Sequence, residues 1–206
     1  MSESSSADPK VERLLDAAFA VFMKTGFDKT SMSEIATMAG VSRPTLYRAF
    51  ATKEDLFLGV AGRLHAATQA AYNEAAAAEG DLSSRLTAMA RAKISAHIEV
   101  VQSSPHGADL LDLHQRIGGD LAAAADDEFR RLVSATLKAA DGTDINLGDH
   151  GLSLPRATTI VVSIIDGWER RLLHREPKPT RRWPSELADA VGIVVRGLAP
   201  VLNQER

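Results

Sequence analysis

The sequence predicts an all-α protein of about nine helices, with a head of three helices followed by a larger helical body. Three observations support this fold class. Apolar residues recur along the chain of 206 residues at the three- and four-residue spacing of one helix face. No segment shows the alternating pattern of a half-buried strand. Glycine and proline fall between the periodic segments, where helices begin and end.

The first helix is predicted to begin at Asp8-Pro9, an N-cap residue followed by a proline in the first turn. It ends at Gly26, because glycine adopts the positive φ that often follows a helix without strain. Residues 1–8 are mostly small and polar, and we expect a disordered tail there. We expect the head to comprise residues 9–52 and the body to comprise residues 53–206.

Two short helices follow the first one and are separated by Gly40, which can supply a left-handed turn. Ser31 and Ser42 are their predicted N-caps, and Thr52 caps a long fourth helix. Two short helices joined by such a turn form a helix-turn-helix pattern, in which the second helix enters the major groove of DNA. On spacing alone, a helical hairpin without any DNA role is the alternative.

The outward side chains of the second short helix favour DNA binding over the plain hairpin. An arginine can bind a phosphate or a guanine edge, and a threonine methyl can touch a thymine methyl. An exposed tyrosine and threonine on a short basic helix have no evident packing role. The outward residues are Arg43, Pro44, Thr45, Tyr47 and Arg48. Lys53 lies at the N-terminus of the fourth helix, where the helix dipole also favours a phosphate.

Charge limits the kind of nucleic-acid contact that is possible. The chain has a formal net charge of −3, which argues against a protein that coats nucleic acid generally. Residues 10–63 contain eight Lys or Arg against six Asp or Glu, whereas residues 64–206 contain 16 against 19. A mildly basic head on an acidic body is consistent with contact through the head only.

Several classes of protein are disfavoured by what the sequence lacks. It contains no cysteine, which excludes disulfide scaffolds, zinc ribbons and cysteine nucleophiles. It shows no apolar run long enough for a membrane span and no signal-peptide pattern, so we expect no membrane partner and a cytoplasmic location. It carries no nucleophile elbow, dinucleotide fingerprint, phosphate-binding loop or zinc-protease motif. We therefore expect neither an enzyme nor a bound cofactor.

The segment TSMSEIATMAGVSRPTLYRAFATKEDL, residues 30–56, resembles the DNA-binding head of the tetracycline-repressor (TetR) family. The apolar stripe of the first helix and Gly26-Phe27 fit the same head, so the resemblance covers about residues 10–60. The body is similar only in its layout. The resemblance implies DNA contacts at Ser33, Ser42, Arg43, Pro44, Thr45, Tyr47 and Lys53.

One position departs from the family pattern. Ala49 stands where the family often has His or Tyr, which removes one phosphate contact, and the neighbouring Arg48 can compensate for it. The resemblance further implies that the body binds a small effector and that the last two helices form a homodimer. The body is therefore expected to be an effector-binding and dimerisation domain.

The candidate effector site lies in the body. His97 and His114 lie on or next to the apolar stripes of the fifth and sixth helices. Such histidines can orient a ligand in an apolar pocket, or they can simply be satisfied core histidines. Together with Val101, Ile117 and Trp168 they form the predicted site.

A metal site is the less favoured interpretation of these histidines. His97 and His114 could act with His106 and Asp109, but none of them forms a compact ligand pair. The sequence therefore predicts no metal.

The last two helices are more apolar than their own packing requires. Monomers seldom expose a large apolar patch, and a two-fold four-helix bundle would bury it against its own copy. The predicted seam of this homodimer consists of Ile160, Ile164, Val191, Val194, Val195 and Leu198.

These observations together predict a dimeric, ligand-responsive transcriptional regulator. We expect a repressor that a small molecule of unknown identity releases from a pseudo-palindromic operator in double-stranded DNA. The two heads would lie one helical turn apart, roughly 34–36 Å. The alternative is an all-α protein that binds small molecules or proteins and whose head does not bind DNA. Ala49 is the feature that favours this alternative.

Overall fold

The computed structural model describes residues 8–174 and 182–201. The named elements of this part of the chain are all helices, so the all-α prediction is confirmed. Of the tail predicted for residues 1–8, all but Asp8 lies outside the described residues. No helix in the described part is long and apolar enough to cross a membrane. The helices are α1 (Pro9–Thr25), α2 (Met32–Met38), α3 (Arg43–Ala49), α4 (Lys53–Ala77), α5 (Leu82–Ser103), α6 (Gly107–Ile117), α7 (Gly119–Ala140), α8 (Leu154–His174) and α9 (Trp183–Gly197), with a short 3-10 helix at Gly148–His150.

Side-chain caps set the boundaries of the first helices, as the sequence predicts. The side chains of Ser31 and Ser42 each accept a hydrogen bond from the backbone amide three residues further on. Thr52 and Asp55 cap α4 reciprocally, because the side chain of each accepts a hydrogen bond from the backbone amide of the other at 2.9–3.0 Å. Gly40, between α2 and α3, has a φ of 65°, which glycine adopts without strain.

Backbone contacts divide the chain into two compact units. Unit 1 consists of the described residues through Ala66 together with Glu99–Ala122, and unit 2 consists of Ala67–Ile98 and the described residues from Ala123 onward. The boundary expected near residue 52 therefore falls inside unit 1, which also contains α6.

The core of unit 1 holds the two short helices in place. The rings of Phe22, Phe27 and Phe57 contact one another with centroids 5.5–5.7 Å apart. Ile35 of α2 and Leu46 of α3 are fully buried in the same core. Burying one such side chain stabilises a fold by about 1.5–3 kcal/mol. Burial of Leu46 therefore fixes which face of α3 points inward and leaves the opposite face exposed.

The connection between α5 and α6 requires glycine. A Cβ atom added to Gly107 would lie 2.1 Å from the carbonyl oxygen of Val100 and 2.7 Å from the Cα of Val101. Both distances are far below van der Waals contact and both involve backbone atoms. The close approach allows α6 to begin at this point and to bury Leu110 and Leu113 in the core of unit 1.

The core of unit 2 is formed by apolar side chains of α5, α7, α8 and α9. Phe129 of α7 is almost fully buried and contacts the ring of Tyr72 edge-on, with centroids 5.2 Å apart. Leu86, Met89 and Ile94 of α5 are fully buried in the same cluster. Lys93 lies among these apolar residues of α5.

Candidate nucleic-acid interface

Helix α3 presents the predicted contact residues on its outward face. Arg43, Pro44 and Arg48 are exposed, and Tyr47 is 46% exposed although it is a large aromatic residue. Thr45 is half-buried, and its hydroxyl lies 2.8 Å from that of the N-cap Ser42. In α2, the predicted contact residue Ser33 is half-buried.

The arrangement suits the major groove of a DNA duplex. A helix of seven residues is about 10 Å long, and the major groove is about 12 Å wide. Among the residues that the structure describes, no carboxylate forms an ion pair with Arg43 or Arg48. Both guanidinium groups can therefore bind phosphate oxygens or base edges without first breaking an internal ion pair.

Ala49 contributes only an exposed methyl group at the end of α3. It can neither donate a hydrogen bond to a phosphate nor attract one. Arg48 is the exposed cation beside it.

Lys53 lies where the sequence predicts it, at the N-terminus of α4, but its ammonium group is engaged within unit 1. Nζ donates to the carbonyl oxygens of Phe27 at 2.7 Å, Thr30 at 3.0 Å and Asp28 at 3.4 Å. It also lies 4.3 Å from the centroid of the Phe27 ring. Spacing along the chain does not indicate this arrangement, because the three carbonyls belong to a turn more than twenty residues earlier.

The five predicted effector residues are divided between the two units. In unit 2, the ring of His97 donates from Nδ1 to the carboxylate of Glu169. Trp168 is half-buried there, and the guanidinium of Arg171 lies 4.7 Å from the centroid of its indole ring.

The other three effector candidates belong to unit 1. His114 is buried, with its Nε2 2.9 Å from the Nε2 of His65. Ile117 is at the surface and Val101 is half-buried. An open groove of about 870 Å³ lies in unit 1 between the turn after α1 and α6, and none of the five effector candidates lines it.

A cluster of charged side chains in unit 2 was missed by the sequence analysis. Lys93 of α5 is only 10% exposed, and its Nζ lies 2.9 Å from Asp166, 3.1 Å from Asp126 and 3.4 Å from Glu169. The sequence feature that could have indicated this cluster is the position of Lys93 at the spacing of the apolar residues of α5.

The charges of this cluster stabilise one another. Burial alone would lower the pKa of the Lys93 ammonium, but the nearby carboxylates, Glu169 first, outweigh it and raise the pKa. Burial alone would raise the pKa of the Glu169 carboxyl, but the hydrogen bond from His97 and the charge of Lys93 lower it. Lys93 and Glu169 are therefore both held in their charged forms.

The predicted dimer seam needs a correction. Val191, Val195 and Leu198 are buried in the core of the single chain, so they do not form an exposed face. Periodicity shows that a helix has apolar faces but not which of them meets its own core. Among the predicted seam residues, Ile160 is 38% exposed.

The apolar surface of α8 and α9 differs from the predicted set. Ile193, which was not predicted, is 64% exposed. Ile164 and Val194 are half-buried and line a narrow crevice of about 10 Å³.

The described residues contain no group of three or more His, Cys, Asp or Glu side chains arranged to hold a metal ion. His106 and Asp109, considered with His97 and His114 as ligands, line the open groove of unit 1.

The chain is similar to known transcriptional regulators over its head and over about three quarters of its length. A family model described as bacterial regulatory proteins, tetR family, matches residues 14–60. The HTH-type transcriptional activator FasR of Mycolicibacterium smegmatis is 30% identical over 159 residues, which are 77% of this chain and 68% of that protein.

Solved structures share the fold at lower sequence identity. A transcriptional regulator from Cytophaga hutchinsonii has a TM-score of 0.74 and 17% identity, covering 94% of this chain and 100% of that one. The fatty acid degradation regulator FadR from Bacillus halodurans has a TM-score of 0.65 and 17% identity, covering 98% and 100%. Both of these proteins are regulators.

Proposed function

The chain belongs to the TetR family of transcriptional regulators, and on that premise we propose that it is a repressor that a small molecule releases from its operator. The observation that carries the proposal is the exposed face of α3. Two arginines that form no ion pair with any carboxylate in the described part of the chain flank an exposed tyrosine, on a helix short enough to enter the major groove. Duplex DNA is the partner that this surface fits best, and a cytoplasmic location is part of the same proposal.

The DNA contacts follow from the chemistry of each side chain. Arg43 and Arg48 would bind phosphates or a guanine edge, and Tyr47 would donate its hydroxyl hydrogen to a phosphate or a base. Pro44 and the Thr45 methyl would contact thymine methyls. Ser33 and Ser42 complete the proposed set near the starts of α2 and α3.

A homodimer is proposed because members of this family bind their operators as dimers and because α8 and α9 expose large apolar side chains. Ile193 and Ile160 are the most exposed of these, and Ile164 and Val194 lie beside them in the crevice. Two copies related by a two-fold axis would bury this surface and would match a pseudo-palindromic operator.

The effector is expected to act through differential affinity. A ligand that binds the DNA-free conformation about 100-fold better than the bound one shifts operator binding by about 3 kcal/mol. His97 and Trp168 in unit 2 stay candidates for its binding site. Fatty acids are the first compounds to test, because the similar Bacillus halodurans protein is a fatty acid degradation regulator.

Operator binding tests the DNA-contacting face directly. A duplex selected from a random pool by the wild-type protein should bind Tyr47→Ala and Arg43→Ala more weakly by about 1–3 kcal/mol. Arg91→Ala, which removes an exposed arginine from unit 2, is the matched control and should bind normally. Failure of the wild-type protein to shift any duplex would favour the alternative of a helical protein that does not bind DNA.

Sedimentation tests the dimer. Ile193→Asp should give monomers at micromolar concentration, since it places a charge on the apolar surface without entering the core. Ser185→Asp, an exposed position of the same helix, should leave the dimer intact. A wild-type protein that sediments as a monomer would contradict this part of the proposal.

In vitro transcription tests the direction of regulation. On a template whose operator overlaps the promoter, the protein should lower transcript yield, and an effector that releases it should restore the yield. A rise in yield on adding the protein would make it an activator, as the relative FasR is named.

A further inference from the structure

The ammonium of Lys53 contacts the turn between α1 and α2 through three backbone carbonyls and one aromatic ring. Nζ lies 2.7, 3.0 and 3.4 Å from three carbonyl oxygens and 4.3 Å from the centroid of the Phe27 ring. An ammonium has three donors and no acceptor, so these contacts use its full capacity. Binding a phosphate would require it to give up at least one carbonyl.

The turn that Lys53 holds leads directly into the helix-turn-helix. Thr30, whose carbonyl it binds, precedes Ser31, the N-cap of α2. The Thr30 side chain is itself fixed, since its hydroxyl donates to the carbonyl of Gly26 at 2.7 Å and lies 2.8 Å from the hydroxyl of Thr25. The Lys53 ammonium is therefore one of the groups that hold the residue before the N-cap of α2 in place.

The position of α2 is passed on to α3 by close packing. The amide of Val41 donates to the carbonyl of Ala36 across the turn between the two helices. Ile35 and Leu46, one from each helix, are fully buried in the same core. Close-packed interiors shift as units and do not deform freely, so a displaced α2 carries α3 with it.

We propose that Lys53 is a positioning residue, which holds the turn between α1 and α2 and thereby sets the angle of the DNA-contacting helix α3, and that it does not bind a phosphate. The inference rests on the proposed function, because operator binding is what the angle of α3 serves. It departs from the expectation that a lysine at this helix N-terminus contacts the DNA backbone.

Salt dependence separates the two roles of Lys53. Each phosphate that a cation neutralises adds about 0.9 to the slope of log affinity against log salt. Lys53→Met keeps the aliphatic stem but removes the charge and the donors. It should bind the selected duplex about tenfold more weakly, because a charge-assisted hydrogen bond is lost. The slope of log affinity against log salt should be unchanged. A slope that falls by about 0.9 would overturn the proposal.

Three further variants make the comparison specific. Lys29→Met removes an exposed charge from the same turn and should bind normally, whereas Arg48→Met, on the contact face, should lower the slope by about 0.9. Lys53→Arg retains donors for the carbonyls and should recover most of the affinity. A positioning role also predicts that Lys53→Met loses preference for the selected duplex over an unrelated one, which simple destabilisation of the fold would not change below its melting temperature.

A measurement on the wild-type protein covers the case in which Lys53→Met does not fold. The ¹⁵N signal of the Lys53 ammonium, identified by its absence from Lys53→Arg, should stay unchanged when the duplex is added. A shift comparable to that of a phosphate-bound lysine would overturn the proposal. If the wild-type protein bound no duplex at all, the proposed function would fail. The amide signals of residues 28–32 would still test whether Lys53 holds the turn between α1 and α2. Their displacement in Lys53→Met would support it, and their constancy would overturn it.

Discussion

A lysine in each unit of the molecule lies against a phenylalanine ring, but the two ammonium groups bind different kinds of oxygen. In unit 1, Lys53 lies 4.3 Å from the Phe27 ring and binds three neutral carbonyl oxygens. In unit 2, Lys93 lies 5.0 Å from the Phe129 ring and binds three carboxylates. The first arrangement leaves a net positive charge, and the second leaves a net negative one.

The difference teaches what each site depends on. Backbone carbonyls do not titrate, so the contacts of Lys53 depend on the geometry of the turn and not on pH. Carboxylates titrate, so the contacts of Lys93 depend on both. Removing Lys53 would expose dipoles that water can reach, whereas removing Lys93 would leave Glu169, 13% exposed, as a charge with less compensation.

The largest expected effect is therefore on unit 2. Lys93→Met should lower the free energy of unfolding by about 3 kcal/mol, because breaking a buried ion pair leaves its partner charged and desolvated. Urea unfolding followed by circular dichroism measures this change. Lys138→Met, an exposed lysine of α7, is the control and should change stability by less than about 0.5 kcal/mol. Equal effects of the two variants would show that the cluster does not stabilise the fold.

Acidification should separate the two sites next. The pKa of Glu169 is lower in the folded chain than the ordinary 4.5 of its carboxyl group. Its contribution to stability is therefore complete above pH 4.5 and is lost as the pH falls through the lowered folded value. Glu169→Gln should cost about 2 kcal/mol at pH 7 and should make the remaining stability less dependent on pH below 4.5. A pH profile identical to that of the wild-type protein would contradict this assignment.

A smaller loss is expected in unit 1. Lys53→Met should lower the free energy of unfolding by about 1 kcal/mol, because the released carbonyls can bind water. The loss should be the same at pH 7 and at a pH below 4.5, whereas the contribution of the charged cluster is lost below pH 4.5. Thermal melts at the two pH values measure it. A loss as large as that of Lys93→Met would remove the distinction between the two sites.

The smallest effect tests the outer edge of the cluster. The side chain of Asp126 is 68% exposed, so solvent screens its contact with Lys93. Asp126→Asn should cost less than about 1 kcal/mol by urea unfolding. A cost of about 3 kcal/mol would mean that the three carboxylates contribute equally despite their different exposure.

Local chemistry explains what the sequence could predict. Ser31, Ser42 and Thr52 cap their helices through bonds to residues three positions away, and Gly40 has the positive φ that a turn requires there. These features depend on neighbours within a few residues. The exposed face of α3 was predictable for the same reason, since Leu46 marks its inward side.

Contacts between distant segments explain what could not be predicted. Lys53 binds carbonyls 23–26 residues away, and nothing in the spacing indicates that partner. Val195 and Ile193 are equally apolar in sequence, yet one is in the core and the other is 64% exposed. The charged partners of Lys93 come from two other helices, α7 and α8, so the spacing within α5 could not indicate them.

The close approach at Gly107 has a consequence for how this chain can vary. A Cβ there would lie 2.1 Å from a backbone oxygen, so even alanine would force α5 and α6 apart. In a library that replaces each position with every amino acid, position 107 should tolerate no substitution. Gly62, inside α4 with nothing within 4 Å of its would-be Cβ, should accept alanine and even gain stability from it. Two glycines of one chain would thus mark the extremes of its mutational tolerance, and sequencing the surviving variants would show both at once.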